Sequence, residues 1–141
     1  QVGICYDVFP TILKVAAAKS PSGHVVDGKD LKPLLLGERV PDRRDEFLSH
    51  FPHEHRNNYF TSFRAGNWKL IYHYLPEPGL DADRYELYNL GEDPSESVNQ
   101  AEAQSKRLAR MTRVMTRRLD AMDALYPVVD GVEQRPLEPS L

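Results

Sequence analysis

One cysteine, one tryptophan and three methionines stand among 141 residues, and the scarcities remove whole classes of protein. Cys5 alone can form neither an internal disulfide framework nor a multi-cysteine zinc site. No apolar run approaches the roughly 18 residues that a helix needs to cross a bilayer. Positive charge is in short supply too. With 18 Lys and Arg against 21 Asp and Glu, the formal net charge is −3, and no global basic field marks the chain for nucleic acid. Internal repeats and low-complexity tracts are absent. What remains is a globular composition, 40% hydrophobic and 28% charged, of a length that suits one domain or one piece of a larger fold. Gln1 rather than Met opens the chain and a helical pattern follows almost at once, so a segment of a longer protein is expected.

Asp7 stands as the cap of a short amphipathic helix, with Pro10 in its first turn and Phe9, Ile12, Leu13, Ala16 and Ala17 at helical spacing. The turn-rich connection "KSPSGHVVDGKD" leads to Asp30, which can cap a turn of helix in "LKPLLLG" that ends at Gly37. After the polar "ERVPDRRDE" come three β-like runs, over 46–51, 59–65 and 68–75. Gly66-Asn67 separates the last two, and a Gly-Asn pair there signals a hairpin because glycine supplies the positive φ. Alternation along the third run puts Trp68, Leu70, Tyr72 and Tyr74 on one face and Lys69, Ile71, His73 and Leu75 on the other. "PEPGLDAD" is a loop, and "RYELYNL" reads as a fourth strand with Tyr85 and Leu87 on one side.

Asp93-Pro94-Ser95-Glu96 has the residues of a helix start, and Asn99 with Glu102 offers a second. Leu108, Met111, Met115, Leu119, Met122 and Tyr126 then recur every three or four residues, the stripe of a long amphipathic helix. The sheet needs a cover and the helix a floor. The expected fold is therefore α+β, a four-stranded antiparallel sheet packed against a long C-terminal helix, with residues 128–141 as an extended tail.

The stretch "HFPHEH" puts His50, His53, Glu54 and His55 within six residues. Zinc needs three or four donors converging at about 2 Å. His53 and His55 can share a strand face, but His50 joins them only across a bend at Pro52. A metal site, a substrate contact and a polar loop all stay open on the residues alone. Lys106, Arg107, Arg110, Arg113, Arg117 and Arg118 form a basic stripe on the long helix. A solvated outer face explains it, as the macrodipole favours cations toward a helix C-terminus. The other readings are a free-standing interaction module using residues 106–118, or a small His-based metal-binding protein centred on His50, His53 and His55. Trp68, just after the hairpin turn, reads as a packing residue against the covering helix.

Four blocks in order, "DVFPTILKVA", "DGKDLKPLLLGE", "FRAGNWKLIYHY" and "ELYNLGEDPSESVN", with "HFPH" between the second and third, resemble the C-terminal part of the formylglycine-dependent sulfatases. The resemblance implies that residues 1–44 are a helix and connector from the end of a catalytic domain, belonging to its interface. Residues 45–127 would be the C-terminal subdomain, docked on a larger alkaline-phosphatase-like α/β domain. It implies sulfate-ester hydrolysis by a formylglycine made from Cys or Ser in a C/S-x-P-x-R motif, with calcium held by Asp and Asn. No such motif occurs here: Cys5 is followed by "YDVF", and Ser20-Pro21-Ser22-Gly23-His24 has its proline misplaced and no arginine. No catalytic or metal-binding residue is thus assigned to this chain, and calcium and formylglycine are expected in the catalytic domain.

The expected role is to complete the parent's fold and help wall its substrate cleft, the chain alone being inactive. His50 and Pro52-His53 match a "His-x-Pro-His"-like segment that approaches the cleft in the family, so His50 and His53 are the implied substrate contacts; Arg64, a candidate from the residues alone, can donate to a sulfated sugar or to a carboxylate of the parent domain, or be a solvated strand arginine. The implied partners are the catalytic domain and a sulfated small molecule or glycan, with no nucleic acid and no membrane. A periplasmic or secreted setting goes with the family.

Overall fold

The computed structural model describes residues 1–41, 45–53, 59–76 and 84–139, which fall into two units, 1–45 and 46–141. In the first unit a 3-10 turn, Cys5–Asp7, runs directly into helix α1, Val8–Val15. Asp7, read as a side-chain cap, has another use. Its backbone is already helical, and its carboxylate accepts the amides of Ile4 at 3.0 Å and Lys29 at 2.7 Å. Thr11 donates its hydroxyl to the Asp7 carbonyl and accepts the Leu31 amide at 2.7 Å. These bonds hold the connector against α1, and Gly28 allows the approach because a Cβ there would lie 1.9 Å from the Tyr6 carbonyl oxygen. Asp30 accepts the Lys32 amide at 2.8 Å as helix α2, Lys32–Leu35, begins, and Gly37 closes it at φ +78°. Val8, Phe9, Ile12 and Val15 of α1 are exposed.

The second unit is a meander of β1 (Glu46–Phe51), β2 (Phe60–Ala65), β3 (Trp68–His73) and β4 (Tyr85–Asn89), all antiparallel and in sequence order. Gly66, at φ +59°, makes the β2–β3 turn as expected. Register aligns Leu48, Phe63, Leu70 and Leu87 in one row across the sheet. That face takes helix α3, Ser105–Ala121, whose Leu108, Met111, Met115 and Leu119 complete the core. Met115 and Leu119, at 0% exposure, contribute about 1.5–3 kcal/mol each by burial.

Neither expected helix start opens α3. The Asp93 carboxylate accepts the amides of Ser97 at 2.8 Å and Val98 at 2.9 Å in a non-helical turn, while Glu96 takes φ +55° and pairs with Lys69. Asn99 accepts the amides of Leu87 and Ala101, both at 3.0 Å, and donates to the Tyr85 carbonyl at 3.1 Å. Its carboxamide satisfies the open edge of β4 instead of capping a helix. Met122 lies past the helix end and is exposed, while Tyr126 returns to the core.

The end of the chain is not simply extended. Strands β5 (Val128–Val129) and β6 (Val132–Glu133) form a hairpin, and the chain then crosses the main sheet's end. There the Leu137 amide donates to the Tyr72 hydroxyl at 3.2 Å and the Tyr85 hydroxyl donates to the Leu137 carbonyl at 2.7 Å.

Candidate functional site

β1 ends where rigid Pro52 turns the chain out of the sheet, and this sets the character of the two histidines around it. His50 points to the α3 side. Its Nε2 lies 2.6 Å from the carbonyl oxygen of Leu125, which only accepts, so Nε2 carries a proton. In the neutral ring Nδ1 then accepts the Thr61 hydroxyl at 2.7 Å, and the Thr61 oxygen in turn accepts the Tyr74 phenol at 2.7 Å. Burial holds the Tyr74 phenol well above its ordinary pKa, which keeps the donor of this chain protonated. His50 also meets Tyr74 and Tyr126 edge to face, at 5.9 Å each.

His53 lies beyond the bend and is exposed, its ring 6.4 Å from that of Phe51. Phe51 stacks on Phe60 at 4.9 Å, which stiffens the strand end that carries the bend. Arg64 is elsewhere. It pairs across the sheet with Phe47 and Lys69, near the opposite end and on the face away from α3, and donates Nε–H to the Gly66 carbonyl at 3.0 Å. The fold thus places His50 and His53 at one end of the sheet and Arg64 about 13 Å along the strands from it.

The face away from α3 also carries a cluster that the sequence reading passed over. The Glu86 carboxylate accepts His73 Nε2–H at 2.7 Å and the Tyr88 hydroxyl at 2.7 Å, and the His73 bond is the largest cause holding its pKa below the usual carboxylate value. Alternation placed His73 on this face, but only strand pairing brings Glu86 to it.

A family model described as N-sulphoglucosamine sulphohydrolase, C-terminal, matches residues 3–124. The chain belongs to this sulfatase C-terminal family. The steryl-sulfatase of Rattus norvegicus is 51% identical over 70 residues, which is 47% of this chain and 12% of that protein. A sulfatase of Formosa agariphila is 34% identical over 103 residues, 66% of this chain and 18% of its own length. The structure of BT4656 in complex with its substrate, D-glucosamine-2-N,6-O-disulfate, has a TM-score of 0.61 at 27% identity, covering 83% of this chain and 24% of that one. The chain spans a small part of each relative.

As a sulfatase C-terminal subdomain, the chain has a sheet and helix of the expected kind, and the two other readings lose their footing. Both ring nitrogens of His50 are occupied by protein groups, His55 lies outside the described residues, and no group of three His, Cys, Asp or Glu among the described residues could hold a metal ion. The basic stripe is partly spent on the fold. Arg107 lies over the Trp68 ring at 4.2 Å, Arg118 pairs with Glu46 at 2.5 Å and Arg113 with Glu138 at 3.5 Å. Trp68 packs against α3 as expected. No C/S-x-P-x-R motif occurs in the sequence, and Cys5 is an exposed thiol followed by Tyr6 and Asp7.

Proposed function

We propose that this chain is the C-terminal portion of a sulfuric ester hydrolase, which completes the fold of a larger catalytic domain and walls its substrate cleft with the His53 end of the sheet. The observation that carries this reading is the family match over residues 3–124 in a chain that has no C/S-x-P-x-R motif. The formylglycine, the calcium ion and the bond-breaking residues belong on this reading to the catalytic domain, and the substrate is a sulfated small molecule or glycan. Residues 1–44 end that domain, with the exposed Phe9 and Ile12 of α1 facing it. Of the three residues named from sequence, we place the substrate contact on His53. Its exposed imidazole can donate to a sulfate oxygen or a sugar hydroxyl. His50 holds the strand from which His53 projects, and Arg64 lies at the other end of the sheet.

The test is an aryl-sulfate assay with added calcium on three preparations. The full-length protein is expected to turn the ester over. The same protein ended before Glu46, and the 141-residue chain alone, are not. Turnover by the chain alone that survives repurification, or undiminished activity in the shortened protein, would overturn the reading.

A further inference from the structure

The sheet end that carries His53 also carries Arg84. β1 runs toward His53, β3 runs the same way two strands over, and β4 begins beside the end of β3, with the His73 amide bonded to the Arg84 carbonyl at 2.9 Å. The Arg84 side chain is held by one nitrogen only. Nη1 donates to the Tyr74 carbonyl at 3.0 Å and more weakly to the Tyr72 hydroxyl at 3.4 Å and the His73 carbonyl at 3.5 Å. All three acceptors are neutral. Among the described residues no carboxylate pairs with this guanidinium, and its Nε and Nη2 hydrogens meet no acceptor. Lys69, Arg113, Arg118 and Arg135 differ, since each has its own carboxylate.

Arg84 borders two cavities. One, of about 310 Å³, is also lined by Tyr85, Glu102, Ser105 and Leu108. The other, of about 280 Å³, lies beneath the crossing tail and includes Tyr72, Tyr74 and Gln134. We propose that Arg84 binds an oxyanion carried on a sugar, a sulfate or a carboxylate, through its paired Nε–H and Nη2–H edge. That edge presents two parallel donors at the spacing of two oxygens on one sulfate or carboxylate. The Nη1 bonds fix the plane of the guanidinium in advance, so little rotamer freedom is lost on binding.

A bare ion fits the surroundings less well than a sugar. Glu102 repels an anion but accepts hydroxyls, and Ser105 and Gln134 offer both donor and acceptor groups. The inference rests on the sulfatase reading for its ligand class, and it adds a second point of substrate recognition at the β4 side of the wall.

The test is a titration of the intact 141-residue chain, following the arginine Nε–H resonances by NMR. Three probes are used: D-glucosamine-2-N,6-O-disulfate, glucuronate and the neutral N-acetylglucosamine. The Arg84 resonance is expected to shift saturably with one or both anionic sugars and not with the neutral one. A response to the disulfate alone assigns the site to sulfate, and a response to glucuronate alone assigns it to carboxylate. Arg84→Gln should weaken binding about ten-fold or more, and Arg84→Lys, which keeps the charge but not the fork, by less. If the Gln variant does not fold, the wild-type titration and the Lys variant decide.

No saturable shift with either anionic sugar at millimolar concentration overturns the proposal, as does undiminished binding by a folded Arg84→Gln chain. Aryl-sulfate turnover by the full-length protein is read separately. Turnover without an Arg84 response overturns this inference alone, whereas an Arg84 response without turnover overturns the sulfatase reading and leaves a module that binds anionic sugars.

Discussion

His50 Nε2 donates to the carbonyl oxygen of Leu125 at 2.6 Å, a bond that spans 75 residues and ties the end of β1 to the segment after α3. With the Thr61 bond at 2.7 Å, it makes the histidine a strut between sheet and chain end. His50→Ala removes both bonds and leaves the buried Thr61 hydroxyl one partner short. The expected loss is about 1–2 kcal/mol of unfolding free energy, read from the urea midpoint. A variant as stable as the parent chain would show that the ring carries no such load.

His53→Ala has the opposite signature. The residue is exposed and outside the sheet, so stability should change by less than about 0.5 kcal/mol. In the full-length protein, loss of a hydrogen bond to a charged group is expected to lower kcat/KM for the native substrate by about 10- to 100-fold. Small aryl sulfates that do not reach the outer wall should suffer less. Equal losses on both substrates would move His53 to the sulfate itself, and no loss on either would return it to plain surface.

Arg107 and Trp68 test whether the basic stripe serves the fold. The guanidinium sits 4.2 Å from the ring centroid, between α3 and the β2–β3 hairpin. A double-mutant cycle of Arg107→Ala and Trp68→Leu should give a coupling of about 0.5–2 kcal/mol. Additive effects would place Arg107 in solvent.

Glu86 gives a pH dependence of known sign. Its folded-state pKa lies below the ordinary 4.5, chiefly through the His73 bond. The resulting stability is therefore complete above pH 4.5 and is lost as pH falls through the lowered folded value. Glu86→Gln should melt below the parent chain at pH 7, with the gap closing under acid conditions. A gap that stays constant with pH would detach the effect from ionisation.

Local patterns carried much of the fold into the sequence. Alternation along residues 68–75 marked the buried row of Leu70, Tyr72 and Tyr74, because side chains of a strand point to opposite faces in turn. Gly66 announced its turn, since a residue with no Cβ reaches positive φ without strain. The spacing of Leu108, Met111, Met115 and Leu119 announced α3 and the face it buries. Capping residues misled, because Asp7, Asp93 and Asn99 can bond any nearby amide, and which amide lies near is decided by the packed chain.

The candidate site shows the same division. "HFPH" marked one end of the sheet, but the separate fates of His50 and His53 depend on which side of the sheet meets α3 and on where Leu125 returns. Arg84 gave no signal in the sequence, where it is one more cation flanking a strand. Its singly tethered guanidinium exists only because antiparallel pairing lays β4 beside the end of β3 and the tail crosses above. Composition and periodicity report a residue's own neighbourhood along the chain, whereas a site is made by groups that meet from distant positions, and only the tertiary structure decides which ones meet.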